Sequence, residues 1–241
     1  MIFSRKVIPS LFTILNALCG FLSVIESSKN QFTYAALFII YAGMFDLFDG
    51  IIARFLKSTS KFGVELDSLA DVISFGLAPS FLLYNSFFIE YNQIGILFSS
   101  LTLIFSALRL ARFNVELVGT DKDKFYGLPT PVVAITICTY LLLYHNRIFS
   151  KELSIYSIFI LSTFVPLLMI TKIEYLVLPK INKKFIKQHP FKFIFLIFII
   201  LISIITKGVA VFPLCILYIL SGIFTEIKRI IFKYSHKRFP H

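Results

Sequence analysis

The feature that most constrains this chain is a succession of long apolar runs. Eight can be drawn, at about 8–26, 32–54, 64–89, 93–113, 127–145, 154–171, 190–206 and 208–225. Each is close to the ~20 residues a helix needs to cross the hydrocarbon of a bilayer. In lipid the backbone amides must be satisfied within the protein, so runs of this length fold as helices. The sequence therefore predicts an all-α fold, a polytopic transmembrane helical bundle of about eight spans. Composition agrees, with 57% of residues hydrophobic and 15% charged, against ~25% charged in a soluble domain.

Lys and Arg set the orientation. Of the 24 such residues, 20 fall before the first run, in the gaps after the second, fourth and sixth runs, or in the C-terminal tail. Only Lys29, Arg147, Lys151 and Lys207 lie in the other gaps. This alternation is the positive-inside pattern, and it predicts both termini in the cytoplasm. The net charge of +11 then reads as a surface for anionic headgroups. It excludes nucleic acid as the expected partner, because no basic segment carries a nucleic-acid-binding pattern. The opening MIFSRKVIPS reads as the start of a retained first helix. Cys19, Cys138 and Cys215 all lie within apolar runs and read as packing residues. The one shift in composition is the basic segment KINKKFIKQHPFK (180–192). It marks off a six-span membrane domain, residues 1–175, from residues 176–241, which hold a basic loop, two further spans and a cytoplasmic tail.

Against this apolar background the stretch DLFDGIIARFLKSTSKFGVELDSLAD (46–71) carries Asp46, Asp49, Asp67 and Asp71. An ionised group at membrane depth costs roughly 2.5–3.5 kcal/mol even on the lenient insertion scale. At about 100° per residue, Asp46, Asp49, Gly50, Ala53 and Arg54 share one broad helix face. On the next helix Gly63, Asp67 and Asp71 are spaced i, i+4, i+8, with Ser74 on the same stripe. Two such helices, antiparallel and joined by a short loop, would bring the four carboxylates together. Oxygen ligands without Cys or His suit Mg²⁺ or Mn²⁺, and two such ions would neutralise the cluster and clamp phosphate oxygens. Gly50, Ala53 and Gly63 lack bulk, so a nucleotide or diphosphate can approach the backbone, and Arg54 can pair with phosphate.

The pattern D-x2-D-G-x2-A-R-x8-G-x3-D-x3-D, running from Asp46 to Asp71, resembles the signature of the CDP-alcohol phosphotransferases and matches it at all eight of its set positions. The flanks FGVELDSLADVISFGLAP (62–79), ALRLARFN (107–114), GLPTP (127–131) and PSLFTILNALCGF (9–21) resemble the phosphatidylserine synthase branch of that family. TKIEY (171–175) departs from the more basic pattern expected there. The resemblance implies an enzyme of the bacterial cytoplasmic (inner) membrane, usually homodimeric, with its site facing the cytoplasm. It would transfer a phosphatidyl group from CDP-diacylglycerol to L-serine and release CMP. By the same resemblance Asp46, Asp49, Asp67 and Asp71 hold two metal ions, and Asp71 deprotonates the acceptor hydroxyl. Asp49, Gly50, Ala53, Arg54 and Gly63 would line the CDP pocket.

Arg109 and Arg112 sit at the cytoplasmic end of the fourth run. They and Lys172 are candidates for the donor phosphate or the acceptor carboxylate, to which a guanidinium is well matched. Pro129 and Pro131 are expected to kink a helix. Asn16, a lone polar residue on the first run, suits either a helix–helix contact or a pocket donor. Two other classes also use acidic clusters. A membrane prenyltransferase would separate its Asp motifs more widely, and a divalent-cation transporter has no need of Gly50, Ala53, Arg54 and Gly63. A different acceptor, glycerol 3-phosphate or an inositol phosphate, would leave the signature unchanged.

Overall fold

The first apolar run forms an inside-out helix, α1 (Val7–Ser28). Its polar and small residues Thr13, Asn16, Gly20, Ser23 and Ser27 are buried, while Leu11, Ile14, Leu18 and Phe21 are exposed. Both stripes recur every three or four residues, which puts each on one side of a helix. A lipid solvent explains the inversion, because hydrocarbon offers no penalty to exposed Leu and Phe and polar groups must bond inside. The chain turns at Asn30, which adopts a left-handed φ of 61°. α2 (Phe32–Leu56) then returns antiparallel along α1.

The computed structural model describes residues 7–56, 60–117, 126–175, 198–199 and 201–238. Among these, every regular element is helical, and six helices are long and apolar enough to cross a membrane. The third, α3 (Lys61–Ser86), begins at Ser60, whose Oγ accepts the Gly63 N–H at 3.0 Å. It changes to a π-helical turn over Val72–Leu77. Pro79, with no N–H of its own, follows this turn, and the Ala78 N–H bonds back to the Ile73 carbonyl, five residues earlier. A 3-10 turn, Phe88–Tyr91, leads into α4 (Asn92–Leu117), which packs across the π turn.

The fifth apolar run is shorter than expected. It forms α5 (Thr130–Thr139), closed by a π turn over Tyr140–Tyr144. At 1.5 Å per residue this is roughly 22 Å, less than the ~30 Å of a hydrocarbon core. Pro129 and Pro131 do not kink it. Pro129 caps it and Pro131 lies in its first turn, where a missing N–H costs nothing. α6 (Lys151–Leu167) starts at Ser150 and ends in a 3-10 turn, Leu168–Ile170. Residues 201–205 are helical and stop at a tight turn in which Lys207 and Gly208 both have positive φ, and the Gly208 N–H bonds to the Ser203 carbonyl at 2.8 Å. α7 (Val211–Arg238) follows, so the last two runs are separate elements. The basic segment 180–192, and most of the seventh run, lie outside the described residues.

Two cores hold the bundle. Ala35, Ala36, Ile39, Ala42, Phe75, Ala78, Leu82 and Ala134 pack α2, α3 and α5 closely through small side chains. The second gathers Phe88, Tyr140, Tyr144, Ile158, Met169 and Phe212, where α5, α6 and α7 meet the turn before α4. The three cysteines are free, and Cys19 and Cys138 are buried.

Candidate active site

The close approach of α1 to α3 positions the site. A Cβ on Gly20 would come within 2.8 Å of the Ser74 Cα, so only glycine lets these backbones meet. Ser74 Oγ, fully buried, lies 2.7 Å from the Ala70 carbonyl and 3.2 Å from the Asn16 carbonyl. α2 packs along α1 as well. The N-terminal half of α3 is also tied to α4. Ser68 Oγ donates to Asn114 Oδ1 at 3.1 Å, and Asn114 Nδ2 donates to Glu65 Oε2 at 3.1 Å.

This frame brings the predicted carboxylates together. Asp46 and Asp49 of α2 and Asp67 of α3 each place an oxygen within 4.8 Å of the others. Asp71 lies one turn further along α3 and is 8% exposed, and Asp49 is 7% exposed. At 4.8 Å two carboxylate charges repel by roughly 3.5 kcal/mol at an effective dielectric of about 20. Among the described residues no Lys or Arg forms an ion pair with the four. One Asp67 oxygen, Oδ1, is buried with no protein partner. A hard divalent cation fits this set on two counts: the donors are carboxylate oxygens alone, and one of them is an unsatisfied acceptor.

Two donors from α1 complete the arrangement. Thr13 Oγ1 lies 2.9 Å from Asp49 Oδ2, and Asn16 Nδ2 donates to Asp71 Oδ1 at 3.2 Å. From the sequence Asn16 suited either a helix–helix contact or a pocket donor, and Thr13 was missed. The buried stripe at positions 13, 16, 20, 23 and 27 was the available signal.

The remaining candidates divide. Gly50 borders open space, since a Cβ there would meet only Arg54 Nη2, at 3.9 Å. Arg54 is exposed and folds back over that glycine, its Nε donating to the Gly50 carbonyl at 2.8 Å. Ala53 is half-buried on the same face. Gly63 serves the α3 cap, and a Cβ on it would press the Ser60 Oγ at 3.1 Å. Arg109 and Arg112, grouped together in the sequence, are used differently. Arg109 interacts electrostatically with Asp71, and its Nε is buried without a partner. Arg112 instead bonds carbonyls: Nη1 to Ile170 at 2.8 Å, and Nη2 to Tyr126 at 3.3 Å and Met169 at 3.4 Å. Beside it Gly127 has φ +82°, and a Cβ there would collide with the Met169 carbonyl. Lys172 is exposed just beyond that turn. Glu174 pairs with Arg229 of α7 at 3.2 Å, so a cation does reach the TKIEY segment, from a distant part of the chain.

Comparison with known proteins agrees with this geometry. The CDP-alcohol phosphatidyltransferase family profile matches residues 6–171. The chain is 35% identical over 170 residues to a CDP-diacylglycerol–serine O-phosphatidyltransferase of Helicobacter pylori, covering 69% of this chain and 70% of that one. It is 40% identical over 173 residues to an archaetidylserine synthase of Methanothermobacter thermautotrophicus, covering 70% and 69%. A CDP-diacylglycerol–serine O-phosphatidyltransferase of Methanocaldococcus jannaschii is 33% identical over 228 residues, 93% of this chain and 97% of that one. With the family profile spanning the acidic cluster and all the helices that frame it, the chain belongs to the CDP-alcohol phosphatidyltransferase family.

Proposed function

We propose that this protein is a CDP-diacylglycerol–serine O-phosphatidyltransferase, an integral membrane enzyme that joins a phosphatidyl group to L-serine and releases CMP. The observation that carries the reading is the convergence of Asp46, Asp49 and Asp67 within 4.8 Å, with Asp71 one turn further along α3. The relatives' names supply the acceptor, since serine is common to all three.

The four aspartates would hold two Mg²⁺ or Mn²⁺ ions, which when bound polarise the phosphoryl oxygens and neutralise the leaving group. The open face over Gly50, with Ala53, Arg54 and Gly63 along it, would receive the CDP moiety. Asp71 accepts the proton of the serine hydroxyl. The hydroxyl oxygen then bonds to the phosphorus that carries the diacylglycerol. The bond from that phosphorus to the bridging oxygen breaks, and its electron pair leaves with CMP. The proton passes from Asp71 to cytoplasmic water. Arg109, whose Nε is buried without a partner, would take the serine carboxylate, with Lys172 further out. Arg112 shapes the same corner through the carbonyls it holds. The eight spans, cytoplasmic termini, cytoplasm-facing site and homodimer belong to this proposal. So does the division at residue 175, with 1–175 carrying the chemistry.

The test is CMP release from CDP-diacylglycerol with serine, glycerol 3-phosphate, inositol phosphate or choline at equal concentration. Serine is expected to be preferred by at least ~10-fold, about 1.4 kcal/mol in transition-state binding. A preference for glycerol 3-phosphate would overturn the serine assignment and leave the family standing.

A further inference from the structure

Buried polar side chains in a membrane helix are most simply explained as contacts between helices. Thr13 and Asn16 do something more specific, because each bonds a carboxylate of the acidic cluster and not a neighbouring helix backbone alone. Thr13 is 4% exposed and Asn16 is fully buried. Thr13 has one proton and two acceptors in reach, the Asp49 carboxylate at 2.9 Å and the Pro9 carbonyl at 3.2 Å. The charged acceptor forms the stronger bond. Asn16 donates to one oxygen of Asp71, leaving the other oxygen of that carboxylate for the site. The Asn16 Oδ1 is buried and has no protein partner. The two residues are three apart on α1, so one helix face serves one aspartate of α2 and one of α3. Gly20, a turn further along the same face, lets α1 come close enough to α3 for the Asn16–Asp71 bond.

We propose that Thr13 and Asn16 are positioning residues of the transfer reaction: Thr13 orients Asp49 as a metal ligand, and Asn16 orients Asp71. This rests on the function proposed above. A carboxylate in apolar surroundings can rotate about its terminal torsion, and a donor on one oxygen holds the plane and leaves the other oxygen directed at its ligand. Partners of this kind alter metal affinity or activity by roughly 10- to 100-fold when removed.

The test uses the full-length chain in detergent, with Mn²⁺ binding followed by the electron paramagnetic resonance signal of the free ion, which requires no turnover. Thr13→Val keeps the shape and removes the hydroxyl; it should weaken Mn²⁺ binding by about 10-fold. Thr13→Ser restores the hydroxyl and should bind within about threefold of the parent. Asn16→Leu, which keeps the branched outline but has no hydrogen-bonding atoms, should lower kcat by roughly 10- to 100-fold with KM for both substrates little changed. Asn16→Ser is the second variant should the Leu variant not fold, and the same split between kcat and KM is expected of it. Mn²⁺ binding by Thr13→Val equal to the parent overturns the proposal, as does equal loss in Thr13→Val and Thr13→Ser. Full turnover in either Asn16 variant overturns the Asn16 assignment. The Mn²⁺ arm stands whether or not serine is the acceptor, so failure of the functional reading is seen separately, in the acceptor comparison on the parent protein.

Discussion

Replacing Arg112 with Ala separates two roles that its position in the sequence leaves joined. If its guanidinium binds the acceptor, the loss falls on KM for serine. In the structure that guanidinium closes the end of α6, bonding carbonyls at 2.8, 3.3 and 3.4 Å. The two longer contacts share Nη2, so the set amounts to about two good hydrogen bonds. A hydrogen bond to a charged group contributes roughly 1.5–3 kcal/mol, and the partial exposure of Arg112 argues for the lower end. We expect Arg112→Ala to destabilise the protein by about 2–3 kcal/mol. For a chain of this size that is a fall of roughly 4–12 °C in apparent Tm. Arg112→Lys keeps the charge but cannot span three carbonyls with a planar fork, and should fall between the two. The assay is thermal unfolding in detergent alongside CMP release at varied serine. An unchanged Tm with a tenfold rise in KM for serine alone would refute the reasoning and return Arg112 to the acceptor.

The other predictions concern the cluster and its frame. Chelation should abolish CMP release, and either Mg²⁺ or Mn²⁺ should restore it; turnover that survives exhaustive chelation would remove the metal from the mechanism. Asp71→Asn keeps the volume and one oxygen but cannot take the hydroxyl proton, so turnover should be lost while CDP-diacylglycerol binding is largely kept, as measured by displacement of a labelled donor. Near-normal turnover in that variant would assign the base elsewhere. Gly20→Val should prevent α1 from closing on α3, because even a Cβ would lie 2.8 Å from the Ser74 backbone; a folded variant with parental Tm would show that the contact is dispensable.

The bilayer's length requirement is a local property of a chain, so the helical bundle was legible in the sequence. The same holds for the cluster. Asp46 and Asp49 share a helix face by periodicity, Asp67 and Asp71 share another, and the short link between them left little choice but convergence. What periodicity cannot report is which distant groups meet that face. The Thr13–Asp49 and Asn16–Asp71 bonds span 36 and 55 residues, and the second depends on Gly20 letting the backbones of α1 and α3 touch. Arg109 and Arg112 are one turn apart with the same charge. Only the packing of α4 against the end of α6 sends one towards Asp71 and the other to a row of carbonyls. Pro129 and Pro131 show the same division. Their missing N–H groups were plain from the sequence, but whether that breaks a helix or begins one depended on where the helix started. Chemistry that repeats along one element was readable in advance, and chemistry assembled between elements was decided by close packing.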